Sequence, residues 1–210
     1  AIPLPPISLK KGPVPIFPPN KKVKIFFDKI GKTIKIKNEK LSLNFWTMSS
    51  IMAPYYEILN QTLDTLTQEE LTFKPEIHSN NIIFLVWHMA LIEDWLTNVI
   101  LSGNEKIWII NKYYEEFPDL KDKRGYGFSQ EELDKFPDMN IEWLIGYYNV
   151  VRNNTNKWLE NITEKDLSIK YKFKTEEVTG YFILGRLITE LSQHLGQVSY
   201  IRGILRGLNQ

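Results

Sequence analysis

The sequence predicts a mainly α protein: a four-helix bundle with a long helix 2–helix 3 crossover, preceded by an extended strap and a β-hairpin. Three observations carry that expectation. Four long stretches repeat apolar residues three and four positions apart, the period of one helical face. The connection between the second and third stretches is far longer than the other two. The first 40 residues differ in composition, with ten lysines against Asp28 and Glu39, a net of +8, and seven of the eleven prolines at or before Pro19. The 210-residue chain carries a formal net charge of +1, so residues 41–210 carry −7. The chain is therefore read as an extension, 1–43, joined to a helical body, 44–210.

Residues 1–20 hold too many prolines for a helix or a central strand, and an extended course is expected. In 21–37, Val23, Ile25 and Phe27 alternate with polar or outward positions, as do Ile34 and Ile36. Asp28-Lys29-Ile30-Gly31 supplies turn chemistry between them, hence a β-hairpin. The first helix is expected over 47–66, with Met48, Met52, Tyr55, Leu59, Thr62 and Leu66 on one stripe. Ser79 or Asn80 offers an N-cap for a second helix over 81–101, closed by Gly103, with Leu85, His88, Ile92, Trp95 and Val99 along its seam. The third, 139–162, carries Ile141, Leu144, Tyr148, Val151, Thr155 and Trp158 inward; the fourth, 177–208, carries Ile183, Leu187, Glu190, His194, Gln197 and Ile201. A connection as long as 104–138 can run back along the bundle, leaving the second and third helices parallel, or fold over one end as a lid.

Composition excludes several classes. With no cysteine in the chain there is no disulfide scaffold, thiolate zinc site or cysteine nucleophile. The apolar run 82–91 is broken by His88 and followed by Glu93-Asp94, so it is not expected to span a bilayer. The N-terminus lacks the pattern of a secretory signal. A soluble cytoplasmic protein is the expectation.

Three polar side chains stand where a bundle favours leucine: His88, Glu190 and His194. Glu190 and His194 are four apart, so both project from one helical face. His88 on a facing helix can complete a set of two imidazoles and a carboxylate, leaving a coordination position open. Ordinary roles compete with this. A lone histidine on an apolar stripe is usually a hydrogen-bonded core residue, and Glu190 can pair with Arg186 one turn away. A carboxylate left unpaired in an apolar core is costly, which a divalent cation would offset.

Two stretches, NNIIFLVWHMALIEDW (80–95) and ELSQHLGQVSYIRGILRG (190–207), resemble the DinB-like superfamily of metal-binding four-helix bundles. The shared features are Trp87-His88 on the second helix and Glu190-x-x-x-His194-x-Gly196-Gln197 on the fourth, with Tyr200-x-Arg202-Gly203 after it. The resemblance covers roughly 45–207. It implies a divalent metal ion (Zn²⁺, Ni²⁺, Fe²⁺ or Mn²⁺) held by His88, Glu190 and His194, with Glu190 standing where the commonest pattern has histidine. It also implies an enzyme acting on a small-molecule substrate: a transferase using a low-molecular-weight thiol or, alternatively, a hydrolase. Around the ligands, Gln197, Tyr55, Tyr148 and Arg152 are candidates for a second layer or a pocket wall. Glu93 and Asp94 are expected to face away from the seam, and His78 lies too far along the chain to join it. The basic extension suggests two further readings, an arm in a homodimer and a nucleic-acid-binding module; the acidic body disfavours the second.

Overall fold

The computed structural model describes residues 13–16, 32–35 and 53–207. In the extension, β1 (Pro13–Ile16) pairs in parallel with β2 (Lys32–Lys35). The first strand of the expected hairpin, 23–27, and its turn lie outside the described residues. Lys32–Lys35 is a strand as expected, and its observed partner comes from the proline-rich strap. A two-stranded sheet has only edge strands. Pro13 and Pro15 are tolerated in β1 because an edge strand needs hydrogen bonds on one side alone.

The body is built on four helices: α1 (Ala53–Leu63), α3 (Ile82–Asp94), α6 (Ile141–Asn161) and α8 (Gly180–Arg206). Short helices fill the connections: α2 (Gln68–Thr72), α4 (Ile107–Ile110), α5 (Gln130–Asp134) and α7 (Glu164–Ser168). Asparagine or threonine side chains cap the long helices, Asn81 for α3, Asn140 for α6 and Thr179 for α8. The expected caps of α3 were one and two residues earlier. The chain leaves α1 at a turn in which Thr65 has φ 65°, so the first helix ends short of Leu66.

α3 is the central element. It packs against both α6 and α8, while α8 also packs against α1. All thirteen residues of α3 are buried, and it continues directly into a π-helical segment, Trp95–Leu101. By length and composition Ile82–Leu101 would suffice to cross a membrane, but 89% of its apolar window is buried inside the bundle. Asp94 meets Tyr147 and Thr97 meets Thr155, so residue numbers rise together along α3 and α6 and the two helices are parallel. The long crossover makes that arrangement possible. It returns through α4 and two 3-10 turns (Tyr113–Glu115 and Pro118–Leu120) to α5. Edge-on aromatic rings fasten it, with Trp108 against Trp87, Trp143 and Tyr147, and Phe136 against Phe84 and Trp87.

Glu93 and Asp94 correct the expectation that they face away from the seam, since both are fully buried. Asp94 accepts the backbone N–H groups of Ile107 and Trp108, the Asn98 amide and the Tyr147 hydroxyl, tying the start of the crossover to α3 and α6. Between α7 and α8 lies an element the periodicity did not reveal, an antiparallel hairpin of β3 (Lys170–Phe173) and β4 (Glu176–Thr179).

Candidate metal centre

His88 sits midway along α3, and Glu190 and His194 sit one turn apart on α8, which crosses α3 closely enough to bring the three together. Their candidate ligand atoms all lie within 4.8 Å of one another, so the group could hold a metal ion. Glu190 Oε2 is the hub, 3.1 Å from His194 Nε2 and 3.6 Å from His88 Nε2. The two imidazoles meet edge to face with ring centroids 4.6 Å apart. His88 is 6% exposed and Glu190 7%, so the cluster is lodged in the bundle rather than spread on its surface.

The donor set fits a cation. His194 Nδ1 pairs with Gln197 Oε1 at 2.8 Å. His194 Nε2 faces Glu190 Oε2 at 3.1 Å, a contact that a shared proton or a bound cation satisfies equally well. His88 is held neutral: burial lowers its pKa to about 4, His194 adding to the effect and Glu190 opposing it. A neutral imidazole is what a metal needs. Arg186 forms an ion pair with Glu190 Oε1, leaving Oε2 turned to the histidines. The ordinary pairing expected for Glu190 and the site-facing role thus coexist, one on each carboxylate oxygen.

Behind His88, the crossover comes close at Gly125. Gly125 has φ +74°, and a Cβ there would stand 2.3 Å from His88 Nδ1. That nitrogen is buried against the glycine backbone without a well-formed hydrogen bond. The segment 125–128 covers the site, so the long connection serves both as crossover and as lid.

The cluster lines a cavity of about 530 Å³, walled by Phe84, Ile92, Trp95, Tyr126, Phe128 and Phe173, with Arg186 and Lys174 among its polar groups. Of the candidate wall residues, Gln197 reaches the site through His194. The other three do not line the cavity. Tyr55 packs half-buried against the core. Tyr148 is buried edge-on against Tyr56. Arg152 donates from Nη1 to Glu93 Oε1 at 2.7 Å, a fully enclosed pair between α6 and α3. The helical periodicity placed Tyr148 on the bundle side correctly but could not tell which gap between helices it enters, and it gave the buried Arg152 no inward position. His78 pairs with Gln130 and is no part of the cluster. The residues missed from sequence, Gly125 and the aromatic wall from the crossover and the hairpin, come from loops whose course no periodicity encodes. The Gly125-x-Gly127 pair was the available signal.

A sequence profile of the DinB superfamily matches residues 56–198. No curated protein gives a significant match. The crystal structure of a conserved protein from Enterococcus faecalis is similar over 81% of this chain and 99% of that one, with a TM-score of 0.68 and 24% identity, a likeness of fold.

Proposed function

The chain belongs to the DinB superfamily, and from that and the geometry of the cluster we propose that it is a divalent-metal-dependent enzyme acting on a small molecule in the cavity beside His88, Glu190 and His194. The single observation that carries the reading is the convergence of two imidazoles and one buried carboxylate on a common point at the wall of a cavity. A bound divalent cation would lower the pKa of a thiol or water at its open position and so supply a nucleophile near neutral pH.

Of those nucleophiles we favour an external thiol, making the reaction a group transfer. The chain has no cysteine, so sulfur has to arrive with a substrate. The aromatic walls also suit an organic thiol better than they suit an ordered water chain. The protein's part is defined by its own groups. His88 and His194 present ring nitrogens, Glu190 offers one oxygen while Arg186 holds the other, and Gln197 fixes the His194 ring. Segment 125–128 forms one wall of the site.

The test is metal analysis followed by cobalt substitution. Purified chain offered Zn²⁺, Ni²⁺, Fe²⁺ or Mn²⁺ is expected to retain one ion, and His88→Ala and His194→Ala to retain none. In the Co²⁺ form, added cysteine or glutathione is expected to give a sulfur-to-cobalt charge-transfer band. Equal metal content in wild type and variants refutes the site. A metal-loaded protein without that band, but able to cleave simple esters, turns the reading to hydrolysis.

A further inference from the structure

The metal-centre cavity does not end at its aromatic wall. Trp95, Tyr126 and Lys174 also line an adjoining groove of about 480 Å³, between the π-helical end of α3, the crossover and the β3–β4 hairpin. Five cations line this groove: Lys106, Lys123, Arg124, Lys172 and Lys174. Two carboxylates, Glu105 and Asp122, face them. Lys123 is committed to Glu132, and Glu105 accepts the backbone N–H of Lys106. Lys174 stands at the hairpin tip, its ammonium 5.2 Å from the Tyr126 ring centroid and 5.7 Å from that of Phe173. Among the described residues no carboxylate forms an ion pair with Lys106, Arg124, Lys172 or Lys174. Lys172 does lie opposite Glu177 in the strand register.

This is a local reversal of charge. Residues 41–210 carry a net −7, yet the surface next to the cavity gathers cations. Like charges brought together raise the energy of the empty protein, and a concave, low-dielectric wall focuses their field on whatever enters. An anion relieves the repulsion. The groove is a short recess contiguous with the metal-centre cavity, and its size suits a small molecule rather than a polymer.

We propose that this groove is an anion-binding subsite, and that the substrate is a small polyanion whose carboxylate or phosphate groups lie among Lys172, Lys174 and Arg124 while its reacting end passes Trp95 and Tyr126 toward His88, Glu190 and His194. The location of the reacting end rests on the metal-dependent reading; the anion subsite does not. Lys174, shared by both recesses, is the residue that spans them.

The experiment uses the full chain freed of metal on a chelating resin, titrated by calorimetry with citrate, pyrophosphate, acetate and a short single-stranded oligonucleotide. Citrate or pyrophosphate is expected to bind, weakening as salt rises, and the tighter of the two tells carboxylate from phosphate. Lys172→Glu/Lys174→Glu is expected to lose about tenfold or more in that affinity, while Lys157→Glu, an exposed lysine outside the groove, keeps it. In parallel, Ni²⁺ alone is titrated into each protein, and the lysine variants are expected to bind it as wild type does, which also shows that they are folded. The subsite is overturned if acetate binds as tightly as citrate, if the double variant binds the polyanions unchanged, or if only the oligonucleotide binds. Polyanion binding without Ni²⁺ binding leaves the subsite standing and removes the metal reading; Ni²⁺ binding without polyanion binding does the reverse.

Discussion

Gly125 has two separate reasons to be glycine. Its φ of +74° is costly for a residue with a side chain, and the space where a Cβ would go is occupied by His88 Nδ1. Gly125→Ala is therefore expected to push the His88 ring off the point where Glu190 Oε2 meets it. A loss of roughly 10–100-fold in Ni²⁺ or Zn²⁺ affinity follows, the range usual for groups that orient a ligand. Gln197→Leu, which frees His194 Nδ1, is expected to lose affinity in the same range. Titration with a metal-sensitive dye checks both, and an unchanged affinity in Gly125→Ala would show that His88 does not depend on the crossover. A second residue-scale case is Glu93 with Arg152, 0% and 5% exposed. Burial pushes the Glu93 carboxyl up, and the Arg152 guanidinium opposes it. Removing either partner leaves a buried charge, so Glu93→Met and Arg152→Met are each expected to cost about 3–5 kcal/mol, and the double variant far less than their sum. Urea denaturation of the cycle tests this; costs that add within about 0.5 kcal/mol would mean the two side chains act independently.

The C-terminal end of α8 does work away from the site. Arg202 donates to the Thr62 and Asp64 carbonyls, and Arg206 to the Thr65 carbonyl and, through Nε and Nη2, to both oxygens of Glu70. One helix end thus clamps the turn between α1 and α2, where Thr65 adopts a left-handed conformation. Hydrogen bonds from Arg206, then from the Thr67 backbone, hold the Glu70 carboxyl at about 2 against an ordinary 4.5. A depressed carboxylate pKa contributes stability that is full above the unfolded value and is lost as pH falls through the folded one. The stability gap between wild type and Glu70→Gln is therefore expected to be constant above about pH 5 and to close toward about pH 2. The pair is half-buried and reached by solvent, so the gap is small and shrinks with salt. A gap independent of pH would assign the clamp to packing instead. At this scale the sequence was legible where a helix is long and one-sided. The ranges expected for α6 and α8 lie within a few residues of the observed ones, and the one expected for α3 spans α3 together with its π-helical continuation. The β3–β4 hairpin was missed because Lys170-Tyr171-Lys172-Phe173 alternates over only four residues and sits between two helical patterns. The π-helical turn leaves no periodic mark, since Trp95–Leu101 reads like more of α3.

At the scale of the molecule, the parallel course of α3 and α6 could be read from the length of the crossover, and the three candidate ligands from polar residues interrupting apolar seams. What the crossover covers could not, because Gly125, Tyr126 and Phe128 are placed by tertiary packing of aromatic rings rather than by any local repeat. The same layout has an energetic consequence. His88 belongs to α3, and Glu190 and His194 to α8, so an ion bound to all three cross-links the central helix to the one that also packs on α1. That geometry exists only in the folded bundle, and an ion that binds the folded state stabilises it by mass action. At a free concentration one hundred times its dissociation constant, the gain is about 2.7 kcal/mol, a rise in Tm of roughly 5–10 °C for a chain of this size. Differential scanning calorimetry should therefore show resin-treated protein melting earlier than protein supplied with Ni²⁺ or Zn²⁺. In His194→Ala the two traces should coincide, because Glu190 and His88 alone leave too few ligands to fix the ion. If the variant gains as much as wild type, the metal acts elsewhere on the chain and α3 and α8 are not joined through this cluster.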